Sequence, residues 1–291
     1  MSWRIVVITN QAKLSYKNGY MLIRNEETSM IHLSEINTIL IDSTAVVVTT
    51  HLLSELIKEK IKVILCDEKR NPQSELIAYY GSHNTSKRVF VQMSWTKEFS
   101  ELLWAKIVEE KILKQAYCLK KFRKKGYDQL LEYSKNVELG DQTNREGHAA
   151  KVYFNSLFGN DFSRNLMCDY NAALDYGYTI LLSNFNKEVV ASGYLTQIGI
   201  NHKNEFNYFN LSCDLMEPFR VVIDMFVYEQ KERILDKDYK IELVNLLNKE
   251  VYVDEKQMTL TSAIRIYVQS IFKSLEMCDL SVVKYMYINE L

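Results

Sequence analysis

The spacing of apolar residues changes once along this chain, near residues 81–88, and that switch constrains the fold more than any other feature. Before it come short β-branched runs, "WRIVVIT", "AKLSY", "YMLIR", "INTILID" and "KVILCD". After it, Trp104, Val108, Ile112, Ala116, Leu119 and Phe122 step along one side of a long segment at helical intervals. One such switch predicts an α+β chain with segregated parts: a small N-terminal β-rich domain, residues 1–82, followed by a larger all-α domain, residues 83–291. Length agrees, because single cores tend to divide beyond roughly 250 residues.

Local signals fill in the two parts. Lys17-Asn18-Gly19 joins two of the β-branched runs, and Asn-Gly readily takes the positive φ angles of a two-residue hairpin turn. "TTHLLSELIKEKI" carries Leu52, Leu53, Leu56 and Ile57 at helical spacing and interposes a helix before "KVILCD". Asn71-Pro72 is expected to end the β-rich part in a turn, and "GSHNTSKR", Gly81 to Arg88, to serve as linker. Helical patterns then recur in "REGHAAKVYFNSLF", "DYNAALDYGYTILLSNFNKEVVASGYL", "EPFRVVIDMFVYEQKERIL" and "LTSAIRIYVQSIFKSLEM". Nine glycines and two prolines are too few for the turns of an all-β sandwich.

Several functional classes are excluded early. A net charge of -1 rules out binding to nucleic acid through bulk positive charge, so any such site has to be a local patch. Five cysteines, Cys66, Cys118, Cys168, Cys213 and Cys278, are widely spaced with no C-x-x-C, which argues against a zinc knuckle or a disulfide framework. They are expected to be reduced core thiols. No apolar run reaches the roughly 18 residues that cross a bilayer, and the start lacks a secretory pattern, so a cytoplasmic protein without a membrane role is expected.

Three features bear on chemistry. Thr143 and Glu146 fit a capping box, in which each satisfies the other's orphan backbone donor. Yet Glu146, Ala150, Tyr153 and Leu157 share a stripe, and an inward carboxylate needs a partner, since burying it unpaired costs several kcal/mol. Next, His202 falls in a Gly/Asn-containing loop, after which "DLMEPFR" reads as a helix start with Pro218 in its first turn. Asp214 and Glu217 there share a face, and Glu217 lines up with Val221 and Tyr228. Helix-end electrostatics accounts for such acids individually. Together, one imidazole and two or three carboxylates on inward faces make an oxygen-rich site suited to Mg²⁺ or Mn²⁺, ions that work most often on phosphate esters.

The third feature is "KILKQAYCLKKFRKK", residues 111–125, with seven basic residues and no acid. A solvated helix face is one reading; a stripe for phosphate contact is the other, with Arg145, Lys151 and Arg164 extending it towards Glu146. Some of the 19 tyrosines could stack on splayed bases.

"NREGHAAKVYF", "GINH" and "DLMEPFR" resemble, in order and approximate spacing, the three active-site motifs of the CRISPR-associated integrase of the spacer-acquisition complex. The N-terminal "LSYKNGYMLIRNEETSMIHLSEINTILIDS" and "LLSELIKEKIKVILCDEK" are similar to that family's β-rich domain, and "DLMEPFR" looks most like its type II branch. The resemblance implies a β-rich domain that pairs protomers into a homodimer and a helical catalytic domain binding Mg²⁺ or Mn²⁺. It implies Glu146, His202 and Glu217 as catalytic metal ligands, with Asp214 at a nearby acidic position. Two departures stand out: Glu217 takes the place of an aspartate common among relatives, and the loop after "KVILCD" lacks a glycine common there. The expected reaction inserts a captured DNA fragment into a CRISPR array by 3′-hydroxyl attack on a phosphodiester. The DNA backbone would lie along Lys120, Lys121, Arg123, Lys124 and Lys125. Implied partners are DNA, a small companion protein of the complex and, in the type II branch, the effector nuclease. The same ligands would also serve a structure-selective DNase that does not integrate, or the acids could be structural in a scaffold protein.

Overall fold

The computed structural model describes residues 4–79 and 81–288. The chain divides into two compact units, Met1–Gly81 and Ser82–Leu291. Trp3, at the head of the first expected strand, lies outside the described residues.

The first unit contains β1 (Arg4–Ile8), β2 (Ala12–Lys17), β3 (Tyr20–Arg24), β4 (Thr28–His32), β5 (Ile36–Ile41), β6 (Val46–Val48), α1 (Thr50–Lys58), β7 (Lys62–Cys66) and β8 (Pro72–Leu76). Two four-stranded sheets form, ordered β1-β5-β7-β8 and β4-β3-β2-β6. In the first, β5 pairs in parallel with β1 and β7, while β8 runs antiparallel to β7. The Asn-Gly hairpin forms as expected: Asn18 (φ 47°) and Gly19 (φ 84°) turn β2 into β3 with Lys17 opposite Tyr20. Alternate residues of both sheets, among them Val6, Leu14, Met21, Ile39 and Val63, meet Leu52 and Leu56 of α1 in one core. Each such side chain, fully buried, contributes about 1.5–3 kcal/mol.

Pro72 does not end the β-rich part. It opens β8, where the first position of an edge strand tolerates a residue without an N–H. Glu75, three residues further along β8, pairs with the buried Lys62 of β7 at 2.5 Å.

The second unit contains α2 (Thr85–Met93), α3 (Lys97–Lys121), α4 (Tyr127–Lys135), α5 (Arg145–Phe158), α6 (Asp169–Ala191), α7 (Asn210–Met216), α8 (Arg220–Glu229), α9 (Lys237–Asn245), β9 (Glu250–Val253), β10 (Lys256–Thr259) and α10 (Leu260–Met277). The expected all-α organisation thus needs correcting by one hairpin, whose turn at Asp254 and Glu255 has positive φ without the Asn-Gly or Asp-Gly signal that reveals such turns in sequence. The expected linker also shortens, since Thr85 already begins α2. Helix α3 buries Trp104, Val108, Ile112, Ala116 and Leu119 as its period predicts. Helices α6 and α8 approach closely at Gly177, where an added Cβ would lie 2.5 Å from Ile223 Cγ2. Only Cys66 and Cys118 are buried; Cys168 and Cys213 are half-buried and Cys278 is exposed, which narrows the expectation of core thiols to two. No described helix is long and apolar enough to cross a membrane.

Candidate metal centre

Helix α5 is started by a device different from the expected capping box. Asn144, at φ 51°, is the N-cap and accepts from Gly147 N, while Asp141 accepts from Arg145 N at 2.8 Å and Glu146 N at 3.0 Å. Thr143 Oγ1 is buried with no hydrogen-bond partner and caps nothing. Three orphan donors are therefore met from outside the helix, and the Glu146 side chain is released from capping duty. The buried face of α5 runs through Ala149, Tyr153 and Leu157 rather than Ala150, and Glu146 lies at its head.

"DLMEPFR" is not a helix start. Asn210 begins α7, Asp214 lies within it, and Glu217–Phe219 form a single 3-10 turn that joins α7 to α8. Pro218 sits where that turn begins, a position that needs no donor. The turn aims Glu217 inward, where it is 4% exposed.

His202 stands on the connection between α6 and α7, and polar side chains fix that loop at several points. Gln92 donates to Leu195 O and Ile198 O, each at 2.9 Å, and Asn210 donates to Gln197 O and Asn204 O. Asp214 is fully buried and accepts from the backbone of Ile200 (2.6 Å), Asn201 (2.9 Å) and His202 (3.1 Å), and it also bonds His202 Nδ1. The ring lies edge-on to Trp104, with centroids 5.6 Å apart. With Nδ1 engaged, Nε2 is the nitrogen left for a ligand. The Asp214 hydrogen bond raises the imidazole pKa; burial opposes it, and the charges of Asp214, Glu217 and Glu146 reinforce it. Gly199 makes the arrangement possible, because a Cβ there would lie 2.4 Å from His202 O and 2.7 Å from Asp214 Oδ2.

At the centre is Lys111, the first residue of the basic stretch. Lys111 Nζ lies 2.6 Å from Glu146 Oε1 and 2.5 Å from Glu217 Oε2, drawing α3, α5 and the 3-10 turn together. Arg220 holds the other Glu217 oxygen at 3.0 Å. Burial pushes the Glu217 carboxyl up, but Arg220 and Lys111 outweigh it and hold the pKa below the usual range. Burial likewise opposes charge on Lys111, and Glu217 and Glu146 overcome it, so its pKa is raised. As they lie, no group of three His, Cys, Asp or Glu side chains among the described residues closes into a metal site. The donors nevertheless suit a hard divalent ion. Glu217 Oε2 is buried with the Lys111 ammonium 2.5 Å away, a cation position between two carboxylates, and two carboxylates with one imidazole match Mg²⁺ or Mn²⁺ chemistry. Asp214 is committed to the His202 loop and supports the site from behind.

The basic stretch divides. Lys111 enters the centre, and Lys114 turns into the core near Glu110, Phe219 and Tyr285, where burial lowers its pKa to about 8. Helix α3 ends at Lys121, so Arg123, Lys124 and Lys125 lie on the turn beyond it rather than on a helical stripe. Lys120, Arg123 and Lys125 are exposed, while Lys121 faces Glu229 at 3.7 Å and Lys124 lies over Tyr228. Lys151 is exposed on α5; Arg145 is half-buried over Tyr133; Arg164 is tied to Asp175 and Asn171. A cleft of about 430 Å³ opens beside His202, with the exposed Tyr208 on its wall.

A β-rich unit of two sheets followed by a helical unit in which Lys111 bridges Glu146 and Glu217 is a two-part α+β fold shared with solved CRISPR-associated proteins. Residues 5–257 match the family described as CRISPR associated protein Cas1. The CRISPR-associated endonuclease Cas1 of Neisseria meningitidis serogroup C is 32% identical over 274 residues, covering 91% of this chain and 89% of that protein. This chain belongs to the Cas1 family. A Cas1 endonuclease of Francisella tularensis subsp. novicida is 24% identical, with 85% and 83% covered. Among solved structures, a casposase bound to integration product superposes with a TM-score of 0.76 at 20% identity, covering 96% of this chain and 92% of that one. A Cas1 protein from Thermotoga maritima gives 0.73 at 16% identity, with 95% and 98% covered.

Proposed function

We propose that this chain is the DNA-joining nuclease of CRISPR adaptation, a metal-dependent integrase that inserts captured fragments as new spacers into a CRISPR array. The observation that carries the reading is the convergence of Glu146 and Glu217, from separate elements, on one cation position within the same site as an imidazole oriented by a buried carboxylate. Family membership supports a nuclease or integrase role, and the casposase likeness supports a fold able to hold an integration product.

Glu146, Glu217 and His202 Nε2 would hold a Mg²⁺ or Mn²⁺ ion. When bound, such an ion supplies Lewis-acid stabilisation of the charge that builds on a phosphodiester under attack. Asp214 fixes the imidazole so that it spends little freedom on coordination. Lys120, Lys121, Arg123, Lys124 and Lys125 track the fragment's phosphates, with Arg145, Lys151 and Arg164 as further contacts, giving salt-sensitive affinity with little sequence preference. The 3′-hydroxyl of the fragment then displaces one array strand in line, with the cleft beside His202 as its approach.

The β-rich unit is assigned to homodimer formation, in keeping with the exposed Met30 and Val47 on its second sheet. A solved Cas6-RT-Cas1--Cas2 complex contains a chain of the same fold, at a TM-score of 0.72, which supports a small companion protein as partner. A type II effector nuclease is proposed as a further partner.

The test supplies a 3′-hydroxyl DNA fragment and a supercoiled array plasmid with Mg²⁺ or Mn²⁺ titrated. Joined products are expected from the wild type, and none from Glu146→Ala or His202→Ala, with folding and DNA binding retained. Nicking without joining would assign hydrolysis instead. Joining by both variants would remove the metal site and leave the acids structural.

A further inference from the structure

Every charged contact that Glu217 makes bears on how an ion reaches it. One oxygen is held by Arg220, the other lies 2.5 Å from Lys111, and Lys111 also holds Glu146. A divalent ion shared by both glutamates needs oxygens at about 2.0–2.6 Å, so it has to stand where the ammonium stands. Two cations in contact repel strongly in a water-poor site, and both do not fit.

Two features make Lys111 the group that yields. Arg220, which holds the other Glu217 oxygen, is a planar, rigid fork at the first position of α8. A lysine ammonium, by contrast, rides on a flexible four-carbon stem that can withdraw along α3. We propose that Lys111 is an internal counter-cation of the Glu146–Glu217 pair, and that divalent-ion binding proceeds by displacement of its ammonium. The inference rests on the metal-site reading given above. Lys111 is a positioning residue here: it keeps two buried carboxylates together and sets the threshold that an ion must exceed.

Isothermal titration calorimetry with Mn²⁺ on the full chain tests this, alongside thermal unfolding with and without the ion. Lys111→Met, which keeps the stem and removes the charge, is expected to bind Mn²⁺ at least about tenfold tighter than wild type, equivalent to ~1.4 kcal/mol. It should melt lower than wild type without the ion and gain more from it. Lys111→Arg, a permanent forked cation, is expected to bind Mn²⁺ more weakly than wild type. A residue with a merely structural role would weaken binding in both variants. Wild-type binding that Glu146→Gln abolishes and Lys111→Met does not strengthen would overturn the displacement alone. No binding by wild type, or unchanged binding by Glu146→Gln, would overturn the metal site and this inference with it. If Lys111→Met fails to fold, Lys111→Arg decides, and unchanged affinity there counts against the proposal.

Discussion

Asp214 and His202 are joined twice, once through the ring Nδ1 and once through the backbone amide, by a carboxylate that has no exposure to solvent. One acid thereby sets both the path of the loop and the face of the imidazole. Hydrogen bonds to a charged group contribute about 1.5–3 kcal/mol each, so Asp214→Ala is expected to lose at least ~3 kcal/mol in urea unfolding. Mn²⁺ affinity by calorimetry should fall roughly 10–100-fold, as when the partner of a metal-binding histidine is removed. Asp214→Asn should fall between the two proteins.

Gly199 occupies space that no side chain can share. Its φ is unremarkable, so the constraint is steric: a Cβ would press on His202 O and Asp214 Oδ2. Gly199→Ala should leave the helical content seen by circular dichroism near wild type while abolishing DNA joining. Joining at wild-type rate would show that the loop adapts freely.

Asp224, which also feels the charges of Arg220 and Lys111, predicts a pH dependence of stability. It is fully buried, accepts from Tyr153 OH at 3.0 Å and from Tyr178 OH, and burial raises its pKa to about 6 against those hydrogen bonds. Between the ordinary value near 3.8 and about 6, the folded protein holds a proton that the unfolded chain releases. The associated stability is full below that window and fades as pH rises through it, by on the order of 2–3 kcal/mol. Asp224→Asn, titrated by urea from pH 4 to 7, should lack this loss. A wild-type profile that rises across the window, or one that the variant follows unchanged, would contradict the assignment.

Charge at the end of α3 predicts salt behaviour. Each phosphate contact contributes about 0.9 to the slope of log affinity against log salt. Reversing Lys120, Lys121 and Lys124 together should weaken binding of duplex DNA and flatten that slope by up to ~3. An unchanged slope would make this end of the helix a solvated face.

Much of the fold was legible because it rests on local periodicity. The Asn-Gly turn, strands β1, β2, β3, β5 and β7, and helices α5 and α10 follow from residue spacing. What escaped lacked a local signal. Strand β4, "TSMIH", is a mostly exposed edge with no inward alternation, and the turn between β9 and β10 has neither glycine nor asparagine. The capping of α5 escaped for another reason: Asp141 reaches the helix from four and five positions upstream, beyond the three-residue pattern that selected Thr143.

In the site, spacing marked Glu146 and Glu217 as inward acids in need of partners and His202 as a loop imidazole, but it could not name the partners. Lys111 did carry a signal, because it continues the buried stripe through Trp104 and Val108, seven and three residues before it. A lysine on such a stripe must meet a negative charge. The sequence by itself thus determined that a β-rich part precedes a helical one, and that Glu146 and Glu217 turn inward, since both follow from periodicity and the cost of burying charge. Only the tertiary structure decided that α3, α5 and the Glu217–Phe219 turn meet at one ammonium, because such pairings depend on how elements distant in the chain pack together.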